Sequence, residues 1–242
     1  MRRRLSTLAA LLALAACGPS GSGIVEAERF DSFWLWAGVR PQPVLKGART
    51  LYILDGEIRA PQPERYIGLR PGVPRLPGKS LWLVVRTDTL DWPEAMLPNL
   101  AARLGRWTAA GNSVEGLQID FDARTRRLAE YAAFLRTLRK ALPPRYRLSV
   151  TGLMDWGANA DPAALGALAG VVDEVVVQTY QARRTTPGYQ AYFRRMPGFP
   201  LPFKVGLVQH GQWQPPPGLE AEPSFRGYVV FLLNEDSEGR GR

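Results

Sequence analysis

Eight short apolar runs, rich in aromatic and β-branched residues, recur along the chain, and this recurrence limits the possible folds most strongly. Runs of this length and composition, bounded by turn-forming residues, are typical of β-strands. They read FDSFWLW (30–36), RTLYILDGE (49–57), KSLWLVVRTD (79–88), VEGLQIDFD (114–122), YRLSVTGLMD (146–155), DEVVVQTY (173–180), FKVGLVQH (203–210) and RGYVVFLL (226–233).

Helical patterns separate several of these runs. Residues 125–142 carry Leu and Tyr side chains at helical spacing, and Asp161 followed by Pro162 is a typical helix start. Weaker helical patterns occupy residues 93–110 and 187–196. Alternation of strands and helices predicts a parallel sheet with both faces covered. Eight such strands predict a small, irregular (β/α)8 TIM-type barrel of the α/β class. A doubly wound open sheet is the alternative, but no Gly-rich phosphate loop follows the first run.

The fourth run continues as VEGLQIDFDA and alternates polar with apolar side chains. Gln118, Asp120 and Asp122 therefore fall on one face of the strand. In a sheet covered on both faces, two carboxylates are costly unless they reach water or a ligand. The carboxyl ends of barrel strands form the mouth that carries the chemistry, so we expect both carboxylates there. The structural alternative is an ion pair with Arg86 or another arginine at the mouth.

The ends of the other runs are also polar or aromatic. We expect these side chains to line the mouth together with Gln118, and the tryptophans suit stacking against sugar rings. The candidate substrate-binding residues are Trp34, Trp36, Asp55, Glu57, Arg86, Gln118, Trp156, Gln178, Gln209 and His210, and Asp155 and Tyr180 are further candidates for catalysis.

The segment VEGLQIDFDA resembles the fourth strand of chitinase-like family-18 glycoside hydrolases, whose pattern is D-G-x-D-x-D-x-E. Asp122 stands at the position of the catalytic acid, Asp120 at the third acid and Gln118 at the second. VVVQTY is similar to the sixth-strand M-x-Y motif and places Tyr180 on its tyrosine. The resemblance implies a substrate-assisted mechanism in which Asp122 donates the proton, Asp120 raises its pKa, and Tyr180 holds the reacting amide. A conventional alternative pairs Asp122 with Asp155.

Two departures from that pattern leave two functions open. Asp122 is one methylene shorter than the Glu of the family, and Gln118 cannot share a proton with Asp120. The first hypothesis is a glycoside hydrolase acting on a polysaccharide, and the second is a carbohydrate-binding barrel without catalysis. The chain also resembles a bacterial lipoprotein family known only as a domain of unknown function.

The N-terminus has the layout of a bacterial secretory signal. Three arginines precede a short apolar run, and the ending LAAC resembles a lipobox, so we expect lipidation at Cys17. An ordinary signal peptide with a stray cysteine is the alternative. We expect a signal peptide over residues 1–17, a tether over 18–29, one barrel domain over 30–235 and a disordered tail over 236–242. The expected location is the bacterial cell envelope, with a lipid anchor in a membrane.

The composition of the chain limits which partners, metal sites and crosslinks are possible. The formal net charge is +9, but the arginines are scattered, so we expect no nucleic-acid partner, whereas attraction to acidic glycans or membrane surfaces stays open. The single His, His210, excludes metal sites with several histidines, and the single Cys excludes an intrachain disulfide. We therefore expect no cofactor and no metal. An oxygen-only cation site of Asp120, Asp122 and Asp55 and a Ser-His-Asp triad through His210 are minor alternatives. The oligomeric state stays open.

Overall fold

A closed barrel of eight parallel strands forms the centre of the computed structural model, which describes residues 23–234. Each barrel strand pairs in parallel with the next along the chain, and the first pairs with both the last and the second, which closes the barrel. The predicted TIM-type barrel is thus confirmed. Its strands are β1 (Ser32–Leu35), β2 (Thr50–Arg59), β4 (Ser80–Thr87), β5 (Ser113–Asp120), β6 (Arg147–Leu153), β7 (Glu174–Gln178), β10 (Phe203–Val208) and β11 (Phe225–Phe231).

Five α-helices in residues 23–234 cover the barrel, and three of them are only five residues long, which makes the barrel irregular. The longest two bury one apolar face each, as Leu128, Tyr131 and Leu135 do in α2. None of the helices in residues 23–234 is long and apolar enough to cross a membrane. The helices are α1 (Met96–Ala109), α2 (Leu128–Ala141), α3 (Asp155–Asn159), α4 (Pro162–Gly166) and α5 (Tyr189–Phe193).

Among residues 23–234, three short strands lie outside the barrel, and the sequence patterns predicted none of them as a separate element. Strand β3 (Gln62–Gly68) forms an antiparallel hairpin with β2. Strands β8 (Tyr180–Gln181) and β9 (Arg184–Thr185) form a small hairpin directly after β7. This second hairpin stands beside the carboxyl ends of the barrel strands, which we call the mouth.

One irregularity in β2 decides which of its side chains reach the mouth. Leu54 pairs with Val84 but Gly56 pairs with the very next residue of β4, so β2 carries one extra residue at this point. Such a bulge resets the alternation of faces along a strand. The Asp55 side chain therefore points to the helical layer. Glu57 lies opposite Arg86 in the register of β2 and β4, at the mouth.

A polar network fills the barrel interior below the mouth. Gln118 is fully buried, accepts a hydrogen bond from Trp34 Nε1 (2.6 Å) and donates one to Ser149 Oγ (2.9 Å). Ser149 donates to Glu174, which also forms an ion pair with Lys204 (3.2 Å). Because its buried charges are paired and hydrogen-bonded, this network forms a closed floor beneath the mouth.

The segment 24–29, expected to be part of the tether, packs against the barrel instead. Val25 and Ala27 are buried, and the Val25 backbone N–H donates to the Gly211 carbonyl (2.8 Å). The apolar side chains explain the difference, because a tether would leave them in water. The predicted signal peptide with Cys17, the start of the tether and the tail over residues 236–242 lie outside the described residues.

Candidate functional site

A cleft of about 1050 Å³ opens at the mouth of the barrel. The ends of several barrel strands and the loops that follow them form its walls, as expected for a TIM-type barrel. Seven of the predicted site residues line this cleft: Trp36, Arg86, Asp120, Asp122, Asp155, Gln178 and Tyr180.

Two carboxyl groups from the end of β5 lie in the cleft in different environments. Asp120 is half-buried, and Thr151 on the neighbouring strand donates a hydrogen bond to its Oδ1 (3.0 Å). Asp122, two residues later, is exposed to the cleft, and its side chain makes no hydrogen bond to any of residues 23–234. The pair thus combines one sheltered and one accessible carboxyl group.

The environment of Asp120 shifts its proton equilibrium. Burial, assisted by the neighbouring charges of Asp122 and Glu57, raises the pKa of Asp120 to about 6 against the opposing effects of Thr151 and Arg86. Asp120 therefore changes its charge near neutral pH, as a group that transfers protons in that range must.

Arg86 does not neutralise this pair by direct contact. Its guanidinium lies over the Trp36 ring, 4.8 Å from the ring centroid. Among residues 23–234, Arg86 forms no ion pair with Asp120 or Asp122. The predicted alternative of a structural ion pair is therefore not the arrangement found. Because Arg86 covers one face of Trp36, that face is closed to a sugar ring.

Aromatic residues form the opposite wall. Tyr180 stacks on Phe231 with 5.4 Å between ring centroids, and Phe231 makes an edge contact with Trp36 at 5.7 Å. Burial, followed by the charges of Asp120 and Asp122, holds the pKa of Tyr180 well above its ordinary value. The Tyr180 hydroxyl thus keeps its proton and is available as a hydrogen-bond donor.

Asp155 brings a third carboxyl group to the cleft from the first turn of α3. Its Oδ1 is buried without a hydrogen-bond partner among residues 23–234. Burial raises the pKa of Asp155, while the backbone N–H of the same residue lowers it. A buried acceptor oxygen without a donor is costly unless a ligand or water supplies one.

Two predicted binding residues lie inside the barrel rather than at the mouth. Trp34 and Gln118 belong to the buried floor and satisfy each other's polar groups. They do face the barrel axis, as the alternation predicted, but they lie one layer below Asp120. Their expected contact with substrate at the mouth is therefore wrong.

Asp55 is directed away from the mouth by the bulge in β2. Its carboxylate accepts hydrogen bonds from Tyr66 Oη (2.6 Å), Trp107 Nε1 (3.1 Å) and the Arg103 guanidinium, which also forms an ion pair with it. This group joins β2 to α1 and to the β3 hairpin. Asp55 cannot contribute to a cation site with Asp120.

Three more of the predicted binding residues lie outside the cleft. Trp156 is buried in the helical layer and donates to the Ala123 carbonyl (2.8 Å). Gln209 is buried and exchanges hydrogen bonds with Gln42. His210 is exposed, and neither it nor Gln209 lines the cleft. None of these three side chains is therefore placed to contact a substrate in the cleft.

Glu57 lies beside the cleft without lining it. It shares a register with Arg86 and Asp120 across three adjacent strands. Arg59 donates two hydrogen bonds to its Oε2 (2.9 and 2.6 Å). Glu57 therefore acts on the site through its charge.

The sequence patterns missed a set of arginines that the fold gathers around the cleft. These residues come from loops, where strand alternation gives no signal, and their side chains lie on separate segments of the chain. They are Arg124, Arg126, Arg127 and Arg183, in addition to the predicted Arg86. No group of three or more metal-ligating side chains occurs among residues 23–234.

Fold and site together define a (β/α)8 barrel with carboxyl groups, arginines and aromatic side chains around a cleft at its mouth. In sequence, the model of a family described as a domain of unknown function (DUF3142) matches residues 78–190. No curated protein matches the chain.

Similar solved structures include the spore cortex-lytic enzyme SleL of Bacillus cereus, at 15% identity and a TM-score of 0.48 over 73% of this chain and 49% of that one. The chitinase domain of the spore coat protein CotE from Clostridium difficile is 13% identical, with a TM-score of 0.46 over 82% and 68%. The tamarind chitinase-like lectin is 11% identical, with a TM-score of 0.49 over 84% and 94%.

The chain spans about half the length of the first of these structures. The resemblance to chitinase-like barrels expected from the sequence is found again among solved structures, at low identity. Similarity at this level concerns the fold alone, so the chemistry of the cleft has to be argued from its own residues.

Proposed function

We propose that the protein is a glycoside hydrolase whose Asp120 and Asp122 together deliver a proton to the glycosidic oxygen of a polysaccharide. One observation carries the proposal: Asp120, with its pKa raised to about 6, lies beside a second carboxyl group at the mouth of the barrel. A general acid must hold its proton at the working pH and release it in the transition state.

The two carboxyl groups divide this task. Asp120 holds the proton near neutral pH, and the exposed Asp122 passes it to the substrate once a water molecule or a sugar hydroxyl joins the two carboxyl groups. The proton moves to the glycosidic oxygen while its bond to the anomeric carbon breaks. Water then adds to the anomeric carbon and returns a proton to the pair, which restores the starting state.

Two further side chains complete the site in this proposal. The Tyr180 hydroxyl, which keeps its proton, donates a hydrogen bond to the reacting part of the substrate. The unpartnered Oδ1 of Asp155 accepts a hydrogen bond from a sugar hydroxyl or from the attacking water. Asp155 is thus the candidate for the second carboxylate of a conventional mechanism.

The experiment is a turnover assay on a panel of oligosaccharides with native protein and Asp122→Asn. We expect turnover to fall by about 10²–10⁴-fold in this variant, with binding retained because the amide keeps the shape. Asp88→Asn is the matched control, since Asp88 is an exposed carboxylate lining the same cleft whose hydrogen bond from the Ala60 N–H an amide can still accept. Equal turnover of the native protein and Asp122→Asn would remove Asp122 from the mechanism.

The pH profile tests the role of Asp120. The proposed acid must be protonated, so kcat/KM of the native protein should fall as the pH rises above about 6. In Asp120→Asn the residual activity should no longer show this alkaline limb. An unchanged limb would assign the proton to another group.

A carbohydrate-binding barrel without catalysis is the second candidate, and the position of Gln118 favours it. The family-18 pattern has an acid at this position. Here the Gln118 amide is hydrogen-bonded to Trp34 and Ser149 in the floor and cannot exchange protons. Asp122→Glu restores the missing methylene. If native protein and Asp122→Glu both bind glycans and hydrolyse none, the binding function replaces the enzyme.

We further propose that Cys17 carries a lipid that anchors the protein in the cell envelope. The charged start, the short apolar run and the LAAC ending support this proposal. Cys17→Ser should release the protein from the membrane fraction or leave it unprocessed. Equal incorporation of labelled fatty acid in the variant would contradict the anchor.

A further inference from the structure

Guanidinium groups surround the carboxyl groups of the cleft. Arg86 extends from the end of β4, Arg124 and Arg126 follow β5, and Arg183 lies between the two strands of the β8–β9 hairpin. The loops that carry them are far apart in the chain and meet only at the mouth. The mouth thus combines a small acidic centre with a basic rim.

Three of these arginines, Arg86, Arg124 and Arg126, have no ion pair with any of residues 23–234. The side chains of Arg124 and Arg126 are exposed and make no hydrogen bond with that part of the chain either. Arg86 is held over the Trp36 ring. Arg127, by contrast, is engaged, because it pairs with Glu130 through two hydrogen bonds (2.9 and 2.7 Å).

We propose that the cleft selects an anionic glycan, one that bears carboxylate or phosphate groups on its sugars. This inference rests on the proposed function and names the substrate class of the same site. A guanidinium group matches the oxygens of a carboxylate or phosphate with two parallel hydrogen bonds. A neutral glycan would leave Arg124 and Arg126 without such a partner. Attraction to the rim also brings an anionic chain over Asp120 and Asp122.

The shape of the site favours a glycan over a nucleic acid. The arginines line a recessed cleft at the end of a barrel, and no stripe of alternating basic and aromatic residues extends beyond it in residues 23–234. Surfaces that bind single-stranded nucleic acids combine a long basic groove with aromatic side chains on which successive bases stack. Here the aromatic residues stack on one another or under Arg86.

The test uses two matched pairs of ligands measured by calorimetry. One pair is a galacturonic acid hexamer and its fully methyl-esterified form, and the other is a phosphorylated mannose oligosaccharide and its dephosphorylated form. The two pairs separate carboxylate from phosphate. The variant is Arg124→Gln/Arg126→Gln. Arg136→Gln/Lys140→Gln is the control, because it removes the same charge from the exposed side of α2, away from the cleft.

We expect the charged member of at least one pair to bind about tenfold or more tightly than its neutral partner. The cleft variant should lose about tenfold per arginine for that ligand and nothing for the neutral one, whereas the control variant should bind like the native protein. Unchanged thermal unfolding of both variants shows that the fold is intact.

Four outcomes would overturn the inference. Equal binding of charged and neutral members would do so while leaving the proposed hydrolase in place. Charge preference that survives in the cleft variant would place the selection elsewhere. Binding of a single-stranded oligodeoxyadenylate as tightly as the charged glycans would identify a general polyanion surface. Absence of binding by every glycan would count against both the inference and the proposed function.

Discussion

Replacement of Asp120 by Asn should stabilise the protein at neutral pH. The raised pKa means that burial opposes the ionised form of Asp120 in the folded state. The rise from 3.8 to about 6 corresponds to about 3 kcal/mol in the free energy of unfolding. The amide carries no charge and can still accept the hydrogen bond from Thr151, so Asp120→Asn avoids this cost.

The sign of the pH dependence follows from the same shift. The folded state binds the proton more tightly than the unfolded chain, so the contribution of Asp120 is most favourable below about pH 4 and is lost as the pH rises through about 6. Native protein and Asp120→Asn should therefore be equally stable at about pH 4. At pH 8 the variant should melt about 6–12 °C higher, given about 2–4 °C per kcal/mol for a domain of this size.

Thermal unfolding followed by circular dichroism between pH 4 and 8 measures this difference. Asp91→Asn is the control, since Asp91 is exposed and its side chain makes no hydrogen bond to residues 23–234. It should change stability by less than about 0.5 kcal/mol at any pH. A difference between native protein and Asp120→Asn that stays constant with pH, or a loss of stability at pH 8, would refute the reasoning. Asp120 would then be an ionised partner of Arg86.

The remaining predictions concern the scaffold and are measured by denaturant unfolding. Asp55→Asn should cost about 3–5 kcal/mol, because it leaves a buried ion pair broken, whereas Asp31→Asn, in an exposed pair, should cost at most about 1 kcal/mol. Gly116→Ala should cost about 3 kcal/mol, since the new Cβ would lie 1.9 Å from the Arg147 carbonyl oxygen. Gly105→Ala, in open space within α1, should instead stabilise the protein by about 1 kcal/mol. Equal effects within either pair would contradict these contacts.

The barrel could be predicted because its signal is repeated eight times. Each strand is short and apolar, and neighbouring strands in sequence are neighbours in space, so few alternatives remain. The rule that strand ends face the mouth then placed Asp120, Asp122, Asp155 and Tyr180 correctly in one cleft. The alternation along a strand was sufficient for these residues, because the end of the strand alone decides where their side chains lie.

The wrongly placed residues share a physical cause. Alternation along a strand tells which face a side chain lies on, but not how deep it lies along the barrel axis. Gln118 and Asp120 share a face, yet two residues along a strand separate a closed floor from an open site. Trp34 lies in the floor and not at the mouth for the same reason. The meeting of Arg86 with Arg124 depends on how loops from different strands approach each other, and no spacing in the sequence encodes this.

The extra residue in β2 allows the length of this strand to vary without changing the charge of the mouth. On a strand without a bulge, Asp55 and Glu57 would share a face, because they lie two residues apart. Deleting Gly56 would place Asp55 opposite Val85 and keep Glu57 opposite Arg86, so each carboxylate would stay on its present side of the sheet. Replacing the glycine is different, because any Cβ there would lie 2.3 Å from the Tyr66 ring. Relatives of this chain can therefore differ in the length of this strand while they keep the same carboxylate at the mouth.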